Sequence, residues 1–144
     1  MGALSHLKIV EIGSAATASY CARLFADFGA TVQKVEPPSG DPLRQAAPFT
    51  PKGHSAWFAF LNFNKSSVAL DPNDASASLR LIELVRDCDI LIDGRDIDEA
   101  DCPAFDLAAL KLRAIRVSFT SKQAGSAGRV PMQILRRPTR PFVR

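Results

Sequence analysis

The 144-residue sequence has little that would bind a metal, cross a membrane or build a disulfide framework. Its two histidines, His6 and His54, stand apart from each other and from the three cysteines, Cys21, Cys88 and Cys102, with no ligand spacing among them. No metal is expected. Three scattered cysteines suit a reducing compartment better than a secreted scaffold. No apolar stretch approaches the roughly 20 residues needed to span a bilayer, and no basic-then-apolar leader follows Met1. The expectation is a soluble, cytoplasmic protein without a membrane partner. Also missing are the three-glycine dinucleotide fingerprint, a Walker-type Gly-Lys-Ser/Thr and the G-x-S-x-G nucleophile elbow. The first two absences disfavour ordinary NAD or ATP binding, and the third leaves a Ser-His-Asp arrangement without its usual sequence signal.

Charge is unevenly spread along the chain. Residues 120–144 hold Lys122, Arg129, Arg136, Arg137, Arg140 and Arg144 and no acid, so the whole-chain charge of +3 becomes −3 over residues 1–119. No basic face with interleaved aromatics precedes that point, and nucleic acid is not expected as a partner.

What the chain does have is repeated alternation of short β-branched runs with helical patterns. Residues 7–12 read as a buried strand ending at Gly13, with Ser14 as N-cap of a helix over residues 15–28. In that helix Cys21, Leu24, Phe25 and Phe28 recur as an apolar stripe expected to be core, and Gly29 stands where a left-handed C-terminal residue belongs. A second strand follows at residues 31–35, completing a βαβ unit with parallel strands and a right-handed crossover. Residues 36–53 carry Pro37, Pro38, Pro42, Pro48 and Pro51, which forbid a continuous helix and predict a long, functional loop. Beyond it come a short aromatic helix at residues 55–63, whose Trp57, Phe58, Phe60 and Phe63 are read as core, and a strand at 66–70. A helix opened by Asp71 and Pro72 runs to about residue 87 with Leu81, Ile82 and Val85 facing inward. A strand at 89–92, a short helix at 107–112 and a strand at 114–119 complete the alternation. The pattern predicts an α/β fold: an open, mostly parallel Rossmann-like sheet with helices on both faces over residues 1–119, followed by a basic tail without structure over residues 120–144.

Ligands in such sheets bind at the carboxyl ends of the strands. The turn Gly13-Ser14-Ala15-Ala16 lies at one such end, where its small residues serve either close packing of the helix on the sheet or contact with a ligand at the helix N-terminus. Asp93, Gly94 and Arg95 lie at another. Arg95 is either a phosphate partner or a solvated loop charge.

Three segments carry a family resemblance. Residues 4–44 (LSHLKIVEIGSAATASYCARLFADFGATVQKVEPPSGDPLR), residues 61–71 (LNFNKSSVALD) and residues 87–93 (DCDILID) resemble the opening of family III CoA-transferases, the CaiB/BaiF family that includes formyl-CoA transferase and α-methylacyl-CoA racemase. The resemblance implies a large α/β domain, of which residues 1–119 are an incomplete portion, with coenzyme A or an acyl-CoA as substrate and no covalently bound cofactor. It places coenzyme contacts at Ala16, Lys65, Leu70 and Arg95. The chain departs from the family with Ala16-Thr17-Ala18-Ser19 after the first strand, Ser66 after Lys65, and Asp93-Gly94-Arg95 where Glu-Asn-Phe-Arg-Pro is usual. An interlinked homodimer is implied for the family but is not expected of this portion alone.

Catalysis in the family would use an aspartate downstream of the fifth strand, which attacks the acyl-CoA to give a mixed anhydride and then an enzyme-bound thioester. Residues 120–144 contain no aspartate, so no catalytic residue is assigned, and the chain is expected to be a fragment inactive by itself. A non-catalytic CoA- or nucleotide-binding module and a fragment of an acyl-CoA racemase are the alternatives. A shift of reading frame near codon 120 would explain the sudden Arg/Pro-rich composition in one step. Sequencing the gene beyond that point should reveal, in another frame, a Gly-x-Asp segment and the rest of a transferase; its absence from every frame would refute the shift.

Overall fold

The computed structural model describes residues 2–95, 115–118 and 133–135. Strands β1 (Lys8–Gly13), β2 (Thr31–Glu36), β3 (Ser66–Ala69), β4 (Ile90–Gly94), β5 (Ile115–Ser118) and β6 (Gln133–Leu135) form one sheet in the order β3-β2-β1-β4-β5-β6. The first five are parallel, and β6 pairs antiparallel with β5. The strand order reverses between β1 and β4, the topological switch point where open α/β sheets take ligands. Thus β6 stands within the stretch expected to lack structure. The helix expected at residues 107–112 lies outside the described residues.

Helices cover both faces, as the alternation predicts. Helix α3 (Ala75–Arg86) packs Ala77, Leu81 and Val85 on Val10, Ile12, Val35 and Leu91, while Ile82 is only half-buried. It starts later than expected. Asp74 is its N-cap, accepting from Ser76 N at 2.8 Å, whereas Asp71 belongs to the preceding turn and accepts from Asn73 N at 2.9 Å.

Helix α1 (Ala16–Asp27) covers the other face, and its buried side differs from the expected stripe. Ala18, Ala22 and Ala26 recur every four residues and lie on Ile9, Val32 and Ile92. Leu24 is 43% and Phe28 59% exposed, and Cys21 and Phe25 sit at the margin of the alanine row. Close approach to the sheet decides this. A methyl group added to Gly94 of β4 would lie 2.5 Å from the Ala18 Cβ, so the face that meets the sheet must be the one without bulk. Ala15, rather than Ser14, is the N-cap, with no side-chain cap, and its N–H donates to the Gly94 carbonyl at 3.1 Å. Gly29 takes the positive φ expected of it, +97°.

The aromatic segment is corrected as well. In α2 (Ala56–Leu61) only Leu61 is buried; Trp57 is 49% exposed, Phe60 48%, and Phe63 just beyond is 59% exposed. Six residues give too short a helix to present four rings to one core. The rings pack on neighbours at the surface instead, Phe60 against Tyr20 and Trp57, with the Arg23 guanidinium 4.1 Å above Phe60.

Leu81→Ala should lower unfolding stability by about 2–5 kcal/mol, the usual cost of a large-to-small change in a core. On the same helix Leu79 is 66% exposed, and Leu79→Ala should stay within about 0.5 kcal/mol. Urea denaturation of both variants checks the assigned face.

Candidate functional site

Four charged side chains are buried where α1 meets the carboxyl half of the sheet. Glu11 of β1 and Lys34 of β2 stand opposite one another in the parallel register, and their side chains meet at 2.8 Å. Lys34 Nζ also donates to the Gly13 carbonyl at 3.0 Å and pairs with Asp41 Oδ2 at 2.9 Å. Lys65 reaches Glu11 from the segment before β3, at 2.6 Å. Ser19 of α1 completes the cluster by donating to Glu11 at 2.6 Å. Burial alone would push the Glu11 carboxyl up, but Lys34 and Lys65 together hold it below the usual carboxylate range. Burial likewise opposes the charge on Lys34, and Glu11 and Asp41 outweigh it and raise the ammonium above its ordinary value. For Lys65 burial prevails over Glu11 and the shift is downward.

This cluster anchors a wall. The loop after β2 turns at residues 37–41 and enters a 3-10 turn (Pro42–Gln45) capped by Asp41, whose Oδ1 accepts from Leu43 N at 2.8 Å. Glu36 at the end of β2 holds the loop from below: its Oε2 accepts from Asp41 N at 2.9 Å and from Arg44 Nε at 2.8 Å, and its Oε1 from Arg44 Nη2 at 2.9 Å. Burial would raise this carboxyl, yet the Arg44 and Ser67 hydrogen bonds and the Asp41 amide bring it down to about 2.

Between this wall, the turn after β1 and the start of α3 lies a cleft of about 350 Å³. Its floor is apolar, from Ile12, Val35, Leu70 and Leu81, and Pro37 and Pro72 flank it. Gly13 opens it at the sheet edge. Its φ of +85° and a virtual Cβ only 2.3 Å from Arg95 N exclude any side chain there.

Two of the four residues expected at the site, Leu70 and Arg95, border this cleft. Arg95 is not a solvated loop charge: it is 8% exposed and forks onto Asp93 at 3.0 and 2.9 Å. Ala16 is exposed at the first residue of α1 and does not line the cleft. Lys65 lies behind the wall, its ammonium donating to Glu11, to the Ser19 carbonyl at 2.8 Å and to Asn62 Oδ1 at 3.0 Å. Sequence reasoning missed Glu11, Lys34, Glu36, Asp41 and Arg44 as a unit. A signal was present: a lone charge inside each of two adjacent apolar strands, KIVEIG and TVQKVE, is costly unless the two meet. Among the described residues no group of side chains could hold a metal ion, and no helix is long and apolar enough to cross a membrane.

Glu36 has its proton affinity lowered by folding, so its contribution to stability is complete above the ordinary carboxyl value of 4.5 and is lost as pH falls towards 2. Acid titrations of unfolding stability should therefore decline over that window in the wild type. In Glu36→Gln the stability at neutral pH should be lower and the decline shallower; parallel curves for the two proteins would refute this.

Comparison with known proteins follows the same outline. Residues 4–117 match the model of CoA-transferase family III. The chain is 34% identical over 91 residues to succinyl-CoA:D-citramalate CoA-transferase of Chloroflexus aurantiacus, covering 62% of this chain and 23% of that one. Against formyl-CoA:oxalate CoA-transferase of Rhodopseudomonas palustris the identity is 37% over 92 residues, covering 63% and 22%. A crystal structure of a CaiB/BaiF family protein from Brucella suis superposes with a TM-score of 0.70 at 25% identity, over 81% of this chain and 33% of that one. The chain thus spans less than a quarter of the length of these two curated relatives. With a family match across nearly all of the described sheet and the same α/β architecture in a solved relative, the chain belongs to CoA-transferase family III.

Proposed function

We propose that this chain is the coenzyme-binding portion of a CoA-transferase, receiving the nucleotide end of an acyl-CoA in the cleft at the carboxyl edge of β1 and β2. The observation that carries the reading is the cleft itself: an apolar floor flanked by prolines, suited to a flat heterocycle, beside a helix N-terminus at the switch point of a parallel sheet. The first turn of α1 holds no acid and no side-chain cap, which favours a phosphate at its free amides. Leu70 would contact the adenine, Ala16 would lie along the pyrophosphate path, and Arg95 would face the ligand from the mouth as one half of its ion pair with Asp93. Lys65 would take part only by giving up one of its three present acceptors.

The transfer reaction needs a carboxylate nucleophile, and residues 120–144 contain neither aspartate nor glutamate. The proposed role of this chain alone is therefore binding without turnover, in a cytoplasmic setting and without a dimer of the interlinked kind. Succinyl-CoA and formyl-CoA, named for two of the relatives, are the acyl donors to try first.

Calorimetry and thermal unfolding with CoA test the reading. Saturating CoA should stabilise the fold, by about 2.7 kcal/mol at a hundredfold excess over Kd. Leu70→Asp should abolish the effect, and no thioester exchange should be detectable with succinyl-CoA and a carboxylic acid acceptor. Absence of both heat and protection would overturn the binding assignment. Measurable exchange would overturn the inactivity.

A further inference from the structure

In open parallel sheets of this topology, an acidic residue at the end of the second strand accepts hydrogen bonds from the ribose hydroxyls of a bound nucleotide, and a nearby arginine serves instead when the ribose is phosphorylated. Glu36 occupies that position. It is the last residue of β2 and borders the cleft. Its carboxylate, however, is already filled. Two N–H groups of Arg44, the Asp41 amide and the Ser67 hydroxyl together engage its oxygens, and the residue is only 4% exposed. A ribose diol would find no free acceptor there.

Arg44 is differently placed. Its side chain is 42% exposed although its guanidinium is fixed in orientation, by the fork onto Glu36 on one edge and by the Phe58 ring 3.9 Å below its face. A guanidinium carries five N–H donors, of which the fork uses two. Arg44 does not itself line the cleft, but its side chain lies against Gly40, which does: a Cβ placed on Gly40 would be 2.9 Å from Arg44 Cδ, so this part-exposed side chain brings its remaining donors to the rim. They meet a phosphomonoester without the entropy cost of ordering a free arginine.

We infer that the Glu36–Arg44 pair makes this cleft select nucleotides with a phosphorylated ribose over those with a free diol, with Arg44 as the specificity-determining contact. The inference rests on the coenzyme reading of the cleft and adds a residue and a direction of preference to it. Glu36 acts through Arg44 as a positioning residue: it fixes the fork and denies the acceptor that an unphosphorylated ribose needs.

The experiment compares CoA with 3′-dephospho-CoA by calorimetry on the full chain at one fixed ionic strength. Wild type should prefer CoA by about tenfold or more, as for a charge-assisted hydrogen bond lost on one side. Arg44→Ala should bring the ratio close to one by weakening CoA while leaving 3′-dephospho-CoA nearly unchanged. Because that variant strips a buried carboxylate of its partner, Arg44→Lys is measured beside it; it keeps the charge, loses the fork, and should give an intermediate ratio. Glu36→Gln should also lower the ratio although Arg44 remains, which a direct contact by Arg44 without positioning would not produce. Equal affinity of wild type for the two ligands, or a ratio unchanged in Arg44→Lys, overturns the assignment of Arg44 and leaves the coenzyme site standing. Failure of both ligands to bind wild type overturns the coenzyme site and the preference with it.

Discussion

A glutamate and a lysine facing each other across two parallel strands, under a helix, leave the chain few other ways to fold. Once Glu11 and Lys34 are out of water, each is tolerable only beside the other, and Lys65, Asp41 and Ser19 fill the positions that remain. The strand register follows. Sliding β2 by one residue would turn Lys34 to the opposite face, into the apolar layer under α3, and leave Glu11 unpaired. Because Asp41 and Lys65 come from the segments that leave β2 and enter β3, the same pairing also fixes where those segments run. The wall of the cleft is thus anchored from inside the sheet, while the Asp41 cap on Leu43 tightens its own turn.

That dependence explains what could and could not be read in the sequence. Periodicity locates elements, and the alternation of strand and helix was enough to place the five parallel strands and the two layers around them. It does not say how near a helix lies to its sheet. The bulkiest residues of α1 formed the more conspicuous stripe, yet the buried row is Ala18, Ala22 and Ala26, chosen by the closeness of Gly94. The aromatic run of α2 misled for a related reason: hydrophobicity measures what burial would gain, not whether a short helix on the flank of another has a core to reach. At the cleft, Leu70 and Arg95 were placed by resemblance, whereas the charges that hold its wall come from three separate segments and meet only in the folded chain. The string GDPLR served as a family marker; the structure gives its Asp41 and Arg44 the task of tying the loop to Lys34 and Glu36.

The arrangement separates two duties. Charges on the α1 side are neutralised among themselves and shape the loop, and the surface offered to a ligand is mainly aliphatic with arginine at its borders. A coenzyme with a flat base and several phosphates suits that division, since the base needs dry contact and the phosphates need only fixed donors at the edge.

The half-exposed ring of Trp57 has a practical side. It is the single tryptophan of the chain, and it lies on α2 beside Phe60 rather than in either apolar layer of the sheet. Its emission therefore senses the hydration of that small aromatic surface, already partly wetted in the folded state. Fluorescence would follow anything that settles on α1 and α2 more faithfully than it follows loss of the sheet, for which backbone circular dichroism is the better signal.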